Sequence, residues 1–251
     1  MAENLDSDNP LSIHAEQRLD SDDDDVSLDA SFFLNENYQL QKFTFGTETI
    51  ELYCLQSSLT DYDLTGQLVW PGAKLLAEYL LEKANDIKGF SVIELGAGLG
   101  LTGLLCARLC DHVVITDYNE TILKVTQMNV DHQISSGDLS PCKVEVHKLD
   151  WSVEDHMVAI KEKYPQGFDL TRYQQSCLPP LFSTLRKFLK QQRARPNVAF
   201  LGYVSRWKSM DEAVCCEATK LDLEIKEVPG TRKEAVSGLY EGWIYEISLR
   251  P

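Results

Sequence analysis

After a polar start, apolar and polar positions along the chain follow two alternating regimes. From residue 39 to 55, QLQKFTFGTETIELYCL, apolar residues alternate with polar ones on both sides of Gly46. Phe43 and Phe45 precede the glycine, and Ile50, Leu52 and Cys54 follow it. A period of two marks a half-buried strand, so a β-hairpin is predicted here. Gly66 to Trp70 then leads into PGAKLLAEYLLEKAND. Pro71 suits the first turn of a helix, where its missing N–H is not needed, and Leu75, Leu76, Tyr79 and Leu80 share one helical face.

From residue 90 onward short apolar runs alternate with helical patterns. Phe90–Leu95 is a strand with Glu94 near its end, Gly96–Gly100 a glycine-rich turn, and Leu101–Leu109 an apolar helix. His112–Thr116 is a second strand followed at once by Asp117, then a helix runs from Asn119 to about His132. Lys143–His147 is a third strand, followed by Leu149-Asp150-Trp151 and a polar helix over Ser152–Tyr164. Phe168-Asp169-Leu170 starts a fourth strand, and Tyr173–Gln192 reads as helical, with Pro179 and Pro180 marking an interruption or a start. Asn197–Val204 is a fifth strand, Met210–Lys220 a helix, and Leu223–Val228 and Gly242–Leu249 the last two strands. Strands separated by helices imply βαβ units and a mostly parallel sheet, and the last pair, with no helix between, should be antiparallel.

Composition narrows the classes. The chain has 251 residues, 43% hydrophobic and 25% charged, which is globular and excludes collagen-like or disulfide-scaffold proteins. No run reaches the ~20 apolar residues of a membrane span. The opening MAENLDSDNP has neither a basic patch nor an apolar stretch, so no secretory or transit signal is expected and a cytoplasmic or nuclear location is. Residues 1–30 carry ten acids and one base, a net −9 of the chain's −15, which leaves −6 for the rest. That segment reads as an acidic disordered tail, a solubility tail or a docking site for a basic partner, and 31–251 as one domain that includes the hairpin. An acidic globular part disfavours nucleic acid as a substrate. The seven cysteines contain no C-x-x-C and the five histidines no metal spacing, so reduced thiols and no metal site are expected.

The chemistry gathers after three successive strands. In open α/β sheets ligands lie outside the carboxyl ends of the strands. Here the first strand ends in E-L-G-A-G-L-G-L-T-G. Gly98-Leu-Gly100-Leu-Thr-Gly103 matches the dinucleotide pattern G-x-G-x-x-G, with Asp117 19 residues after Gly98, which leaves an NAD(P)-dependent oxidoreductase open. The competing reading sets the tight turn at Gly96-Ala97-Gly98, directly after Glu94. An acid there repels a pyrophosphate and suits a ligand carrying an ammonium group, such as S-adenosylmethionine. Asp117 would then accept from ribose hydroxyls, and Asp150 and Trp151 would flank the adenine. Trp151 also admits ordinary packing, and Trp70 is either a core anchor or a lid.

At these residues the sequence resembles the seven-strand S-adenosylmethionine-dependent methyltransferases, and more narrowly their small intracellular protein-lysine methyltransferase group. The resemblance covers about residues 40–251. It rests on G-Q-L-V-W-P-G-A, V-I-E-L-G-A-G-L-G-L-T-G, I-T-D-Y-N, L-D-W, L-F-S-T-L and W-I-Y-E-I-S-L. It implies a Rossmann-like α/β sheet of order 3-2-1-4-5-7-6 with strand 7 antiparallel. It also implies S-adenosyl-L-methionine as cofactor, a protein lysine as acceptor and a monomer. The family's cofactor contacts match Trp70, Glu94, Gly96, Ala97, Gly98, Asp117 and Trp151, with Asp150 and Asn119 beside them. One departure stands out. The family's fourth strand continues into an Asp-x-x-Tyr that faces the methyl and the amine, whereas this chain runs Phe168-Asp169-Leu170-Thr171-Arg172-Tyr173-Gln174. Strand 4 is therefore expected to be truncated, and no catalytic residue is assigned. The chain reads as a shortened form of weak or no activity, or as a non-catalytic protein that binds the cofactor or a partner.

Overall fold

The first two strands form the hairpin that the alternation predicts. β1 (Tyr38–Phe45) pairs antiparallel with β2 (Glu48–Leu55), and Gly46, at φ +60°, makes the turn. The structure is a computed structural model that describes residues 38–55, 66–173, 178–191, 197–236 and 238–250; the acidic segment 1–30 lies outside them. Ile50, Leu52 and Cys54 point inward from β2 and are buried. The free edge of β2 is not left open. Its Tyr53 N–H donates to Asn129 Oδ1 at 2.7 Å, and its Glu51 carbonyl accepts from Gln133 Nε2 at 2.9 Å. Asn129 and Gln133 are buried amides that pair edge groups otherwise unsatisfied.

The remaining strands build one mixed sheet. They are β3 (Ser91–Leu95), β4 (His112–Asp117), β5 (Val144–Lys148), β6 (Leu170–Tyr173), β7 (Val198–Val204), β8 (Leu223–Glu227), β9 (Lys233–Val236) and β10 (Tyr240–Leu249). Their order is β5-β4-β3-β6-β7-β10-β8, with β9 beside the start of β10. β3 to β7 are parallel to one another, and β10 runs antiparallel to both β7 and β8. Because side chains alternate along a strand, each strand feeds two cores. Val92, Val113, Ile115 and Leu170 pack with the hairpin and with α1 (Pro71–Glu82), α2 (Ala84–Ile87), α3 (Leu101–Ala107) and α4 (Glu120–Ser135). Ile93, Leu95, Val114 and Leu201 pack with α5 (Glu154–Lys163), α6 (Leu178–Leu189) and α7 (Lys208–Lys220). Both faces of the parallel strands are covered, which is why they read as continuous apolar runs.

One expectation is corrected at the fourth strand. Tyr173 does not open a helix: Leu170-Thr171-Arg172-Tyr173 is itself β6, and the helix begins at Leu178. Pro179 and Pro180 explain the late start, since proline is tolerated only in the first turn, where no N–H is needed. Nor are the neighbouring strands left without partners. β6 pairs along its four residues with Val92–Leu95 of β3 and with Val198–Leu201 of β7. Asp169 anchors this strand from below. Its N–H donates to Ser91 O at 2.7 Å, and its Oδ2 accepts from Ser91 N at 2.8 Å. Asp169 thus sits at the amino ends of β3 and β6, opposite to the carboxyl ends. The short β9, KEAV, was not foreseen, because two charges and an alanine carry no strand pattern.

α1 lies unusually close to the sheet. A Cβ on Gly202 of β7 would stand 2.1 Å from Gly72 O, and one on Gly72 would stand 2.6 Å from Gly202 O. Backbone meets backbone there, and neither side can yield as a flexible side chain would. Gly202→Ala is therefore expected to lower stability by about 2–3 kcal/mol, as overpacking of a tight site does. Gly230→Ala faces open space at φ +80° and meets only the left-handed strain of about 1–2 kcal/mol. Urea denaturation of the two variants checks the ranking; a Gly202→Ala protein no less stable than Gly230→Ala would contradict the close approach.

Candidate functional site

Three strand ends converge on the glycine turn. Leu95 ends β3, and Gly96, Gly98 and Gly100 follow with φ of +62°, +56° and +78°, conformations that only glycine adopts without strain. The turn is tied to the next strand: Ala97 N–H donates to Thr116 O at 2.9 Å, and Thr116 Oγ1 donates to Glu94 O at 2.7 Å. From α4, Thr126 Oγ1 donates to Gly98 O at 2.6 Å. Gly96 is the half-exposed member of the turn, while Ala97 and Gly98 are buried.

Glu94 is only 2% exposed. Its Oε1 accepts from Thr102 Oγ1 at 2.6 Å and its Oε2 from Gly103 N at 2.8 Å, both in the first turn of α3. The carboxylate therefore fastens the helix head to the strand end and thereby sets the shape of the turn. Gly103 supplies the room, because a Cβ there would lie 2.5 Å from Glu94 Oε2. This accounts for the third glycine of the G-x-G-x-x-G match without any phosphate. Thr102 was not singled out from the sequence; a hydroxyl eight residues after a buried acid was its one available signal.

Asp117, 5% exposed at the end of β4, faces the same turn. Its Oδ2 accepts from Gly98 N at 3.1 Å and its Oδ1 from Asn119 N at 3.1 Å. Burial raises its pKa, and the backbone N–H groups of Asn119, Gly98 and Tyr118 oppose that rise. Asn119 caps α4: its Oδ1 accepts from Thr121 N at 2.9 Å and from Ile122 N at 3.3 Å. After β5, Leu149 N–H donates to Asp117 O at 2.8 Å, which brings Asp150 and Trp151 to the same edge. Asp150 Oδ1 accepts from the Ser152 hydroxyl at 2.6 Å and from Ser152 N at 2.9 Å, and these bonds hold its pKa below the ordinary carboxylate value. Both bonds fall on Oδ1, so Oδ2 is left for a ligand. Trp151 is half-buried against the α5–α6–α7 layer, with its Nε1 buried and unpartnered.

Trp70 stands apart from the other candidates. It caps α1, and the Arg206 guanidinium lies over its ring at 4.9 Å. Arg206 follows β7, so Trp70 belongs to the β7 end of the edge, with β6 between it and the glycine turn. No group of three or more His, Cys, Asp or Glu is placed to hold a metal among the described residues.

The raised pKa of Asp117 has a definite sign. A carboxyl whose folded pKa exceeds its unfolded value, about 3.9, binds more protons when folded. This group therefore makes the chain less stable as pH rises from there through the folded pKa. Asp117→Asn should flatten that stretch of the stability–pH curve, and carbon NMR of the Asp117 carboxyl should titrate above ordinary aspartates; a midpoint at or below them would contradict the burial.

The lysine methyltransferase family matches this chain over residues 51–212. EEF1A lysine methyltransferase 3 of Xenopus tropicalis is 34% identical over 123 residues, 47% of this chain and 50% of that protein. Protein N-lysine methyltransferase METTL21A of Danio rerio is 36% identical over 124 residues, 47% of this chain and 53% of that protein. The chain thus spans about half the length of these two curated relatives. Among solved structures, T. Thermophilus 16S rRNA N2 G1207 methyltransferase (RsmC), in complex with AdoMet and guanosine, superposes with a TM-score of 0.56. It is 16% identical and covers 86% of this chain and 52% of that one, a likeness of fold. The family match runs from β2 into α7 and so takes in the glycine turn and every strand end described above: the chain belongs to the lysine methyltransferase family.

Proposed function

We propose that this chain is an S-adenosylmethionine-dependent protein-lysine N-methyltransferase whose cofactor cradle is the edge formed by Gly96–Gly98, Asp117 and Asp150-Trp151. The observation that carries this reading is the convergence of two carboxylates, Asp117 and Asp150, on a turn held open by glycine. Counted from β3 and leaving β9 aside, the sheet reads 3-2-1-4-5-7-6 with its seventh strand antiparallel, in keeping with the reading.

The donor set fits the cofactor. Carboxylates are acceptors only, which suits ribose hydroxyls, an adenine amine and an ammonium group, and disfavours the pyrophosphate of a dinucleotide. Among the described residues no Lys or Arg side chain hydrogen-bonds to residues 96–98 to neutralise such a group. Asp117 would hold the ribose, and Asp150 and Trp151 the adenine. Glu94 acts one step back by shaping the turn. When bound, the cofactor supplies a sulfonium-activated methyl group for an amine nucleophile. The chain's own part is to bind, orient and exclude water. The names of the relatives support a protein lysine as acceptor. The acidic charge supports a protein substrate over nucleic acid, a monomer working in the cytoplasm or nucleus is the simplest form, and residues 1–30 form an acidic tail outside the catalytic domain.

A second reading, a form that binds the cofactor but transfers poorly, is favoured by one observation. Asp169 pairs with Ser91 at the amino ends of the strands and so offers no acid at the carboxyl end of β6. Titration calorimetry with S-adenosylmethionine, and NADH as control, tests the cradle: micromolar binding of the former alone is expected, weakened about tenfold or more in Asp117→Ala. Equal binding of NADH, or none of S-adenosylmethionine by a folded sample, would refute the assignment. Labelled-methyl transfer to purified EEF1A and to lysate protein then separates the two readings.

A further inference from the structure

The exposed apolar side chains of the unit formed by residues 34–251 gather along one edge. Tyr118 is 60% exposed, Trp207 61% and Leu239 70%, with Tyr240 and Val153 also open to solvent. Tyr118 follows β4, Val153 lies just beyond β5, and Trp207 lies beyond β7. Leu239 and Tyr240 open β10, whose Gly242 pairs with Val204 at the end of β7. All five stand where the parallel strands end, on the edge that carries the glycine turn. Of the large apolar side chains exposed among the described residues, Leu40 and Val158 alone lie elsewhere. At about 4.8 Å per strand, Tyr118 and Trp207 flank the turn about 14 Å apart, with β3 and β6 between them.

Charge gives this edge a direction. Asp117 and Asp150 occupy its β4–β5 end. Toward β7 the sign reverses at Arg206 and Lys208, just beyond the end of that strand. Arg206 and Lys208 flank Trp207 and are exposed with it. Arg206 rests on the Trp70 ring, and neither cation is ion-paired among the described residues. The next acid, Asp211, accepts from the Tyr203 hydroxyl at 2.6 Å and the Ser205 hydroxyl at 2.8 Å and forms no ion pair with either cation among the described residues. An exposed Trp between two cations, beside Leu239 and Tyr240, has the composition of an interface anchor: rigid aromatic area with Arg at its rim.

We propose that Arg206, Trp207 and Lys208, with Leu239 and Tyr240, dock an acidic, apolar-bearing segment of the substrate protein beside its acceptor lysine. This rests on the lysine-methyltransferase reading and adds to it a substrate class. The segment enters from the β7 side, where its acids meet the two cations, and the lysine reaches past β6 toward the glycine turn. Acids at the other end of the segment would approach the negative β4–β5 end, so the acidic flank is one-sided. A basic segment is repelled at the β7 end. A nucleic acid shares the taste for cations and aromatic rings, but its phosphates would run into the carboxylates at the β4–β5 end.

Fluorescence anisotropy with the full chain and three labelled probes tests this. The probes are a short peptide with one lysine flanked on one side by Asp, Glu, Leu and Phe, the same peptide with Lys and Arg replacing the acids, and single-stranded oligouridine. The acidic peptide should bind about tenfold or more tighter than the other two and weaken as salt rises. Trp207→Ala and Lys208→Glu should each weaken it about fivefold or more, while calorimetric affinity for S-adenosylmethionine stays unchanged. Both substitutions are at exposed positions, so neither opens a cavity, and circular dichroism verifies folding. Equal binding of the two peptides, tighter binding of oligouridine, no binding of any probe, or indifference to both substitutions would each overturn the proposal. Calorimetry on the unsubstituted chain reads the parent assignment separately: absent cofactor binding refutes that assignment whatever the peptides do.

Discussion

A carboxylate buried at the end of a central strand must find donors or leave an uncompensated charge, and the site is organised around how Glu94 meets that demand. Thr102 and Gly103 supply the donors, which pins the head of α3 against the end of β3. With both ends fixed so closely, the intervening residues have to fold back sharply, hence three glycines at positive φ within five residues. Gly103 belongs to the same constraint, since any side chain there would collide with the carboxylate it serves. Asp117 repeats the device one strand over by tying Gly98 to the head of α4. The cradle is thus a by-product of two buried acids that rigidify neighbouring strand-to-helix turns.

Around this edge the sheet divides its labour by direction. The amino ends of the strands carry structural locks, such as the paired bonds between Asp169 and Ser91. The carboxyl ends carry the groups that remain available to a ligand: Asp150 Oδ2, half-exposed Gly96, and farther along the exposed Arg206-Trp207-Lys208. β6, with only four residues, is enough to close the ladder between β3 and β7, because its whole length is paired on both sides. The pairing of β6 on both sides keeps β3 and β7 in one sheet, so the turn after β3 is held in place.

Much of this was legible in the sequence where a local pattern reports a tertiary fact. The hairpin about Gly46, the apolar strands ending in Glu94 and Asp117, and the helix opened by Pro71 all rest on periodicity and on residues with narrow conformational uses. The acid just before Gly96 was visible in the sequence, but its partners Thr102 and Gly103 were not. What escaped were pairings with distant partners. Thr171-Arg172-Tyr173 carries no alternation, so its strand state comes from the open positions on β3 and β7. Asp169 gave no hint in the sequence that Ser91, 78 positions earlier, is its partner. The close approach of Gly72 to Gly202 has no local signature at all.

The claim that this edge is a preformed S-adenosylmethionine cradle is tested most directly by amide hydrogen exchange of the full chain with and without the cofactor. Slowed exchange confined to residues 96–103, 117–122 and 149–153, with 223–236 unchanged, is the expected result. Unchanged exchange at the glycine turn in the presence of saturating cofactor, or slowing centred on another edge of the sheet, would contradict it.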